Sequence, residues 1–139
     1  QPLDGEMNER VLLHRQRRPD DWGLIEEPLA LAAVLRAEAA EGRCLLVDCL
    51  TLWLTNLLML EDDQRLAEER DALLACLEQL PGTLILVSNE TGLGVVPMGE
   101  LTRRYVDLAG WLHQAVAERC QRVVLTVAGL PLILKGPAL

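Results

Sequence analysis

Three apolar runs constrain this chain more than any other feature: C-L-L-V-D at 44–48, L-I-L-V-S at 84–88 and V-V-L-T-V at 123–127. None alternates cleanly between apolar and polar residues, and an unbroken apolar strand implies cover on both faces. Helical patterns fill the intervals. In 98–119, Leu101, Tyr105, Leu108, Leu112 and Val116 recur at three-to-four spacing, with Arg103, Arg104, Asp107 and Glu118 elsewhere. That is one apolar stripe on a helix. Residues 63–80 repeat the pattern up to Pro81-Gly82, residues 28–41 are rich in Ala and Leu and stop at Gly42, and Thr51 is placed to cap a helix over 52–60. Strand and helix therefore alternate, which predicts an α/β fold with a mostly parallel sheet, helices on both faces and ligands at the carboxyl ends of the strands. The last run departs from this. V-V-L-T-V, Ala128-Gly129-Leu130 and P-L-I-L-K read as a hairpin that adds an antiparallel strand at the sheet edge.

With 139 residues, half of them apolar, the chain can bury one core, so a single domain over 1–139 is expected. A net charge of −8 with three Trp, one Tyr and no Phe argues against a nucleic-acid surface made of basic stripes and stacking rings. Cys44, Cys49, Cys76 and Cys120 form no Cys-x-x-Cys pair, which fits reduced core thiols rather than a disulfide frame or zinc site. No apolar run reaches the roughly 18 residues of a membrane span, and Q-P-L-D-G-E-M lacks the layout of a signal peptide, so a cytoplasmic protein is expected. Gln1 rather than Met opens the chain, as an internal residue of a longer protein would.

Polar chemistry gathers at three places. Asp48 ends an apolar strand, where a buried carboxylate is costly unless a cation meets it. It either ligates magnesium on a nucleotide's phosphates or only serves the start of the following helix. In R-V-L-L-H-R-Q-R-R-P, Arg10, Arg15, Arg17 and Arg18 supply four of the thirteen Lys and Arg beside His14, one of two histidines. Arginine forks suit phosphate oxygens, so this segment is either a phosphate site with a nucleophile or acid/base in it, or a solvated basic turn. His113, next to Trp111 on the long helix, reads as a surface or packing residue. Asn89 and Glu90 follow the second run and precede Gly92-x-Gly94, a turn too sparse for a dinucleotide or phosphate-loop motif but open enough for close backbone approach to a ligand.

Taken in order, the chain shows D-G-E-M-x-x-R-V-x-x-H-x-x-x-R-P-x-x-W, E-x-P-L, L-L-V-D-C-L-T-L-W-L-T-N, V-S-N-E-x-G-x-G-x-V-P, L-x-R-x-Y-x-D-x-x-G-x-L-x-Q and G-L-P-L-I-L-K. This series closely resembles the bifunctional adenosylcobinamide kinase and adenosylcobinamide-phosphate guanylyltransferase family of cobalamin biosynthesis, along the whole chain. The resemblance implies a P-loop NTPase fold related to RecA, assembled as a homotrimer. The chain's first residues match the family just after the second strand, past a strand, Gly-Lys-Ser phosphate loop and helix unit of about thirty residues. The domain is therefore expected to be incomplete at its amino end, and both activities of the chain alone weak or absent. One departure stands in G-W-L-H-Q, where the family more often has Asn at the place of His113.

By that resemblance His14 is the guanylylated histidine: it attacks the α-phosphorus of GTP and holds GMP until the phosphate of the corrinoid, adenosylcobinamide phosphate, displaces it. Arg15, Gln16, Arg17, Arg18 and Glu26 match nucleotide-contacting positions. Asp48 matches the acidic strand-tip residue that places Mg2+ on GTP or ATP. Asn89 and Glu90 would wall the site. The competing expectations are another P-loop phosphotransferase and a non-catalytic nucleotide-binding remnant.

Overall fold

The computed structural model describes residues 22–90 and 100–138, with the side chains of 100–102 left aside. The chain runs α1 (Leu31–Glu38), β1 (Cys44–Asp48), α2 (Leu50–Met59), α3 (Asp63–Cys76), β2 (Thr83–Val87), α4 (Glu100–Arg119), β3 (Val123–Val127) and β4 (Leu130–Lys135). Strand and helix alternate as the apolar pattern requires. The helices expected over 28–41, 63–80 and 98–119 fall within those limits, whereas the one expected over 52–60 starts earlier, at Leu50. Before α1, the Glu27 carboxylate accepts from the backbone N–H groups of Leu29 and Ala30, and Ala39 closes the helix in an extended conformation. At α3, Asp62 accepts from Arg65 N, a side-chain cap on an orphan donor.

Helix α2 shows why the core sits where it does. Leu50, Trp53, Leu54, Leu57 and Leu58 fall at i, i+3, i+4, i+7 and i+8, one continuous stripe, and all are buried. Leu31, Ala32 and Leu35 of α1, Leu66, Leu73 and Leu74 of α3, and Ala109, Leu112 and Val116 of α4 meet it in a single cluster. A leucine sealed as fully as Leu57 or Leu73 contributes about 2 kcal/mol of transfer free energy. The Trp53 indole N–H donates to Leu29 O at 2.8 Å and Asn56 to Pro28 O at 3.2 Å, which ties the segment ahead of α1 to α2.

Strands β1 and β2 pair in parallel, with Cys44 opposite Thr83 and Asp48 opposite Val87. Side chains alternate across a strand, so Leu45, Val47, Leu84 and Leu86 pack on the helical cluster while Leu46 and Ile85, each 48 % exposed, point the other way. Cover on both faces, inferred from apolarity, is therefore not found among the described residues: all the helices that build the core share one side. Among the described residues the hairpin is also not joined to the edge of the β1–β2 sheet, where the sequence pattern put it. β3 and β4 form their own antiparallel sheet, closed by a two-residue turn at Ala128 and Gly129, both with positive φ, as the right-handed strand twist favours. The close partner that this tight turn supplies fills one side of β3, and no ladder joins it to β1 or β2 among the described residues. Lys135 instead fixes the hairpin to α4, donating to the carbonyls of Ala117 and Glu118 at 2.8 and 3.1 Å. A cation at a helix carboxyl end also complements its dipole.

The cysteines divide. Cys76 is buried and Cys120 half-buried, and burial pushes both thiols up. Cys44 is exposed, so it is not a core thiol as expected. Among the described residues no helix is long and apolar enough to cross a membrane.

Candidate functional site

The parallel register sets two strand tips side by side. β1 delivers Asp48 at the level of Val87, and β2 continues past Val87 into Ser88, Asn89 and Glu90. Asp48 and the Asn89–Glu90 pair therefore come together at one edge, as anticipated for the carboxyl ends of parallel strands. Asp48 is exposed, which removes the desolvation argument for a compensating cation: its oxygens are open to water or a ligand without being buried. The chain leaves Asp48 through a cis peptide to Cys49 and enters α2.

Thr51 does not cap α2. The cap position is Cys49, with no side-chain bond, and Thr51 lies in the first turn with its hydroxyl turned to the neighbouring strand. Its Oγ1 accepts the backbone N–H of Asn89 at 2.9 Å and lies 3.3 Å from Ser88 Oγ, and Ser88 Oγ lies 2.7 Å from His113 Nε2. Three elements are thereby linked: α4 through His113, the β2 tip through Ser88 and Asn89, and α2 through Thr51. Nearby, Tyr105 Oη is buried with no partner in hydrogen-bonding geometry among the described residues. Burial raises the phenol's pKa, with the Thr51 hydroxyl acting in the opposite sense.

His113 is thus neither a surface residue nor simple packing, contrary to the expectation from sequence. One signal pointed to it: it follows the buried Ala109 by four residues, which sets it beside the buried stripe of α4. Ser88 and Thr51 give no such signal, since a hydroxyl at a strand end or in a first turn is commonplace.

The remaining predicted site residues divide by position. Glu26 is exposed in the extended stretch ahead of α1. His14, Arg10, Arg15, Gln16, Arg17 and Arg18, and the Gly92-x-Gly94 turn with Pro97, lie outside the described residues. Among the described residues no three His, Cys, Asp or Glu side chains gather as a metal cluster. Asp48 offers an exposed carboxylate at the β1 tip, which suits an ion that keeps several waters and shares its ligands with phosphate oxygens.

Comparison with known proteins fits this layout. The model of the family described as cobinamide kinase / cobinamide phosphate guanyltransferase matches residues 1–134. The chain is 72 % identical over 136 residues to the bifunctional adenosylcobalamin biosynthesis protein CobP of Pseudomonas aeruginosa, covering 98 % of this chain and 79 % of that protein. It is 32 % identical to the bifunctional adenosylcobalamin biosynthesis protein CobU of Escherichia coli, covering 97 % of this chain and 82 % of that one. A CobU of Salmonella typhimurium is also 32 % identical, with the same coverage.

Proposed function

Since the chain belongs to the cobinamide kinase / cobinamide phosphate guanyltransferase family, a family of enzymes, we propose that it serves both reactions of that name: phosphorylation of adenosylcobinamide, then transfer of GMP from GTP to adenosylcobinamide phosphate. The observation that carries the proposal is the family match along 1–134, which takes in the β1 and β2 tips and the His14 segment.

In the guanylyl half-reaction the neutral His14 imidazole attacks the α-phosphorus of GTP. A P–N bond forms, the bond to the β-phosphate oxygen breaks, and pyrophosphate leaves. The corrinoid phosphate oxygen then attacks the same phosphorus, releases His14 and yields adenosylcobinamide-GDP. Arg15, Arg17 and Arg18 hold the triphosphate and stabilise charge on the leaving group, with Gln16 and Glu26 on the nucleotide. In the kinase half-reaction the aminopropanol hydroxyl attacks the γ-phosphorus of ATP or GTP directly, so the protein's part is placement. Asp48 would hold magnesium, which when bound supplies positive charge to the phosphate oxygens. Asn89 and Glu90 wall the nucleotide from the β2 side. We assign the chain a P-loop NTPase architecture related to RecA and a homotrimeric assembly.

The test is direct. Protein carrying its amino-terminal phosphate loop should convert adenosylcobinamide to the phosphate and then to adenosylcobinamide-GDP, and Asp48→Asn should weaken magnesium-dependent nucleotide binding while thermal unfolding stays near wild type, because an exposed tip residue packs little core. Neither product from that protein, or an Asp48→Asn variant with unaltered magnesium dependence, would contradict the assignment.

A further inference from the structure

Between α4 and the two strand tips runs a chain of three polar side chains that none of the roles above uses: His113 Nε2, 2.7 Å from Ser88 Oγ, which is 3.3 Å from Thr51 Oγ1, which accepts Asn89 N–H at 2.9 Å. Each hydroxyl carries one proton and two lone pairs. Thr51 already commits a lone pair to Asn89, and Ser88 bridges Thr51 to His113. Ser88 and Thr51 are both half-buried, so water does not freely replace a lost partner. Ser88 and His113 have the separation of a nucleophile and its base, but the Ser88 hydroxyl is engaged on both sides and is not presented to a substrate. The arrangement is a clasp.

We propose that His113 is a positioning residue of the nucleotide site: by holding the Ser88 hydroxyl it fixes Thr51, and Thr51 fixes the backbone of Asn89 relative to the start of α2 and the Asp48 tip. The inference rests on the reading of these tips as a wall of the nucleotide site. Its physical content is geometric. Asn89 leaves β2 one residue past the half-buried Ser88, and its amide has no ladder partner in β1, whose pairing ends with Asp48 opposite Val87. Thr51 supplies that partner from a helix. Without His113, Ser88 keeps one partner and can rotate away from Thr51, so the Asn89–Glu90 wall loses the link that ties it to α4 and α2.

Three variants separate this from packing alone. His113→Leu keeps bulk and removes the hydrogen bond. His113→Gln carries an amide that reaches as far as Nε2. Ser88→Ala breaks the chain from its middle without touching the helix, and carries the test if His113→Leu does not fold. In the full-length protein with GTP, His113→Leu is expected to raise the KM for GTP about three- to tenfold while kcat changes less than twofold, matching the loss of one net hydrogen bond. Hydrogen exchange at the Asn89 amide should accelerate by a similar factor, and His113→Gln should restore both. Adding Ser88→Ala to His113→Leu should cost less than Ser88→Ala costs in the wild type. If the Asn89 amide is as protected in His113→Leu as in wild type, or if His113→Gln is as impaired as His113→Leu, the positioning role is wrong. If the amide loosens while the KM for GTP holds, the clasp stands and the nucleotide-site reading of the tips falls.

Discussion

At Glu27 a single exposed carboxylate accepts two backbone N–H groups, from Leu29 at 2.9 Å and Ala30 at 3.1 Å, immediately ahead of α1. Those two bonds, more than the opposing effect of burial, hold its pKa below the ordinary 4.5, with Arg65 adding a little in the same direction. A carboxylate depressed in the folded state contributes stability that is complete above 4.5 and fades as pH falls through the lower, folded value. Glu27→Ala is therefore expected to lose about 0.5–1 kcal/mol at pH 7, a modest figure because the group is solvated. Urea unfolding of both proteins from pH 7 downwards checks this. The gap should close below pH 4.5, and a gap independent of pH would contradict it. The same scale shows how far single residues were readable. Asp48 and Asn89–Glu90 were placed correctly at one edge by strand ends alone, whereas the roles of Thr51 and His113 depended on which neighbour lay 3 Å away, a tertiary fact no local pattern carries.

The elements were legible because their burial is periodic. The stripe of α4 and the apolar runs of β1, β2 and β3 recur in the structure almost as read, and α3 starts at Asp63 as expected, behind its Asp62 cap, though it ends earlier, at Cys76. What the runs could not tell is which strand pairs with which. β3 is as apolar as β1, yet its described ladder is with β4. The connection into β2 is tighter than its turn signal implied. Gly82 has φ +80, a Cβ there would fall on the carbonyl oxygens of Ala40 and Arg43, and the next residue, Thr83, donates to Arg43 O at 2.9 Å. Gly82→Ala therefore combines a disfavoured conformation with a clash against backbone that cannot rotate aside. It should destabilise the protein by roughly 2 kcal/mol or more. Thermal denaturation measures this, and an unchanged Tm would show that the α1–β1 connection gives way at little cost.

Across the molecule, the described helices pack on one side of the β1–β2 pair, and the other side leaves Leu46, Ile85 and Val87 in the open. The hairpin likewise exposes Val127, Leu130, Leu132 and Leu134. The sequence signalled strands with two covered faces, and the described residues supply one. Charge is just as unevenly spread: a chain of net charge −8 sets four arginines within positions 10–18, around His14. In the proposed mechanism that imbalance holds the triphosphate of GTP against a nucleophile. The measurement that tests this most directly uses GTP labelled at the α-phosphate, with the full-length protein and its His14→Ala variant. Wild type should form a GMP adduct that maps to His14, resists base and disappears in mild acid, as a phosphoramidate does. His14→Ala should form none, transfer no GMP, and still phosphorylate adenosylcobinamide, since that step needs placement rather than a protein nucleophile. A labelled adduct on another residue, or undiminished GMP transfer by His14→Ala, would contradict the nucleophilic role of His14.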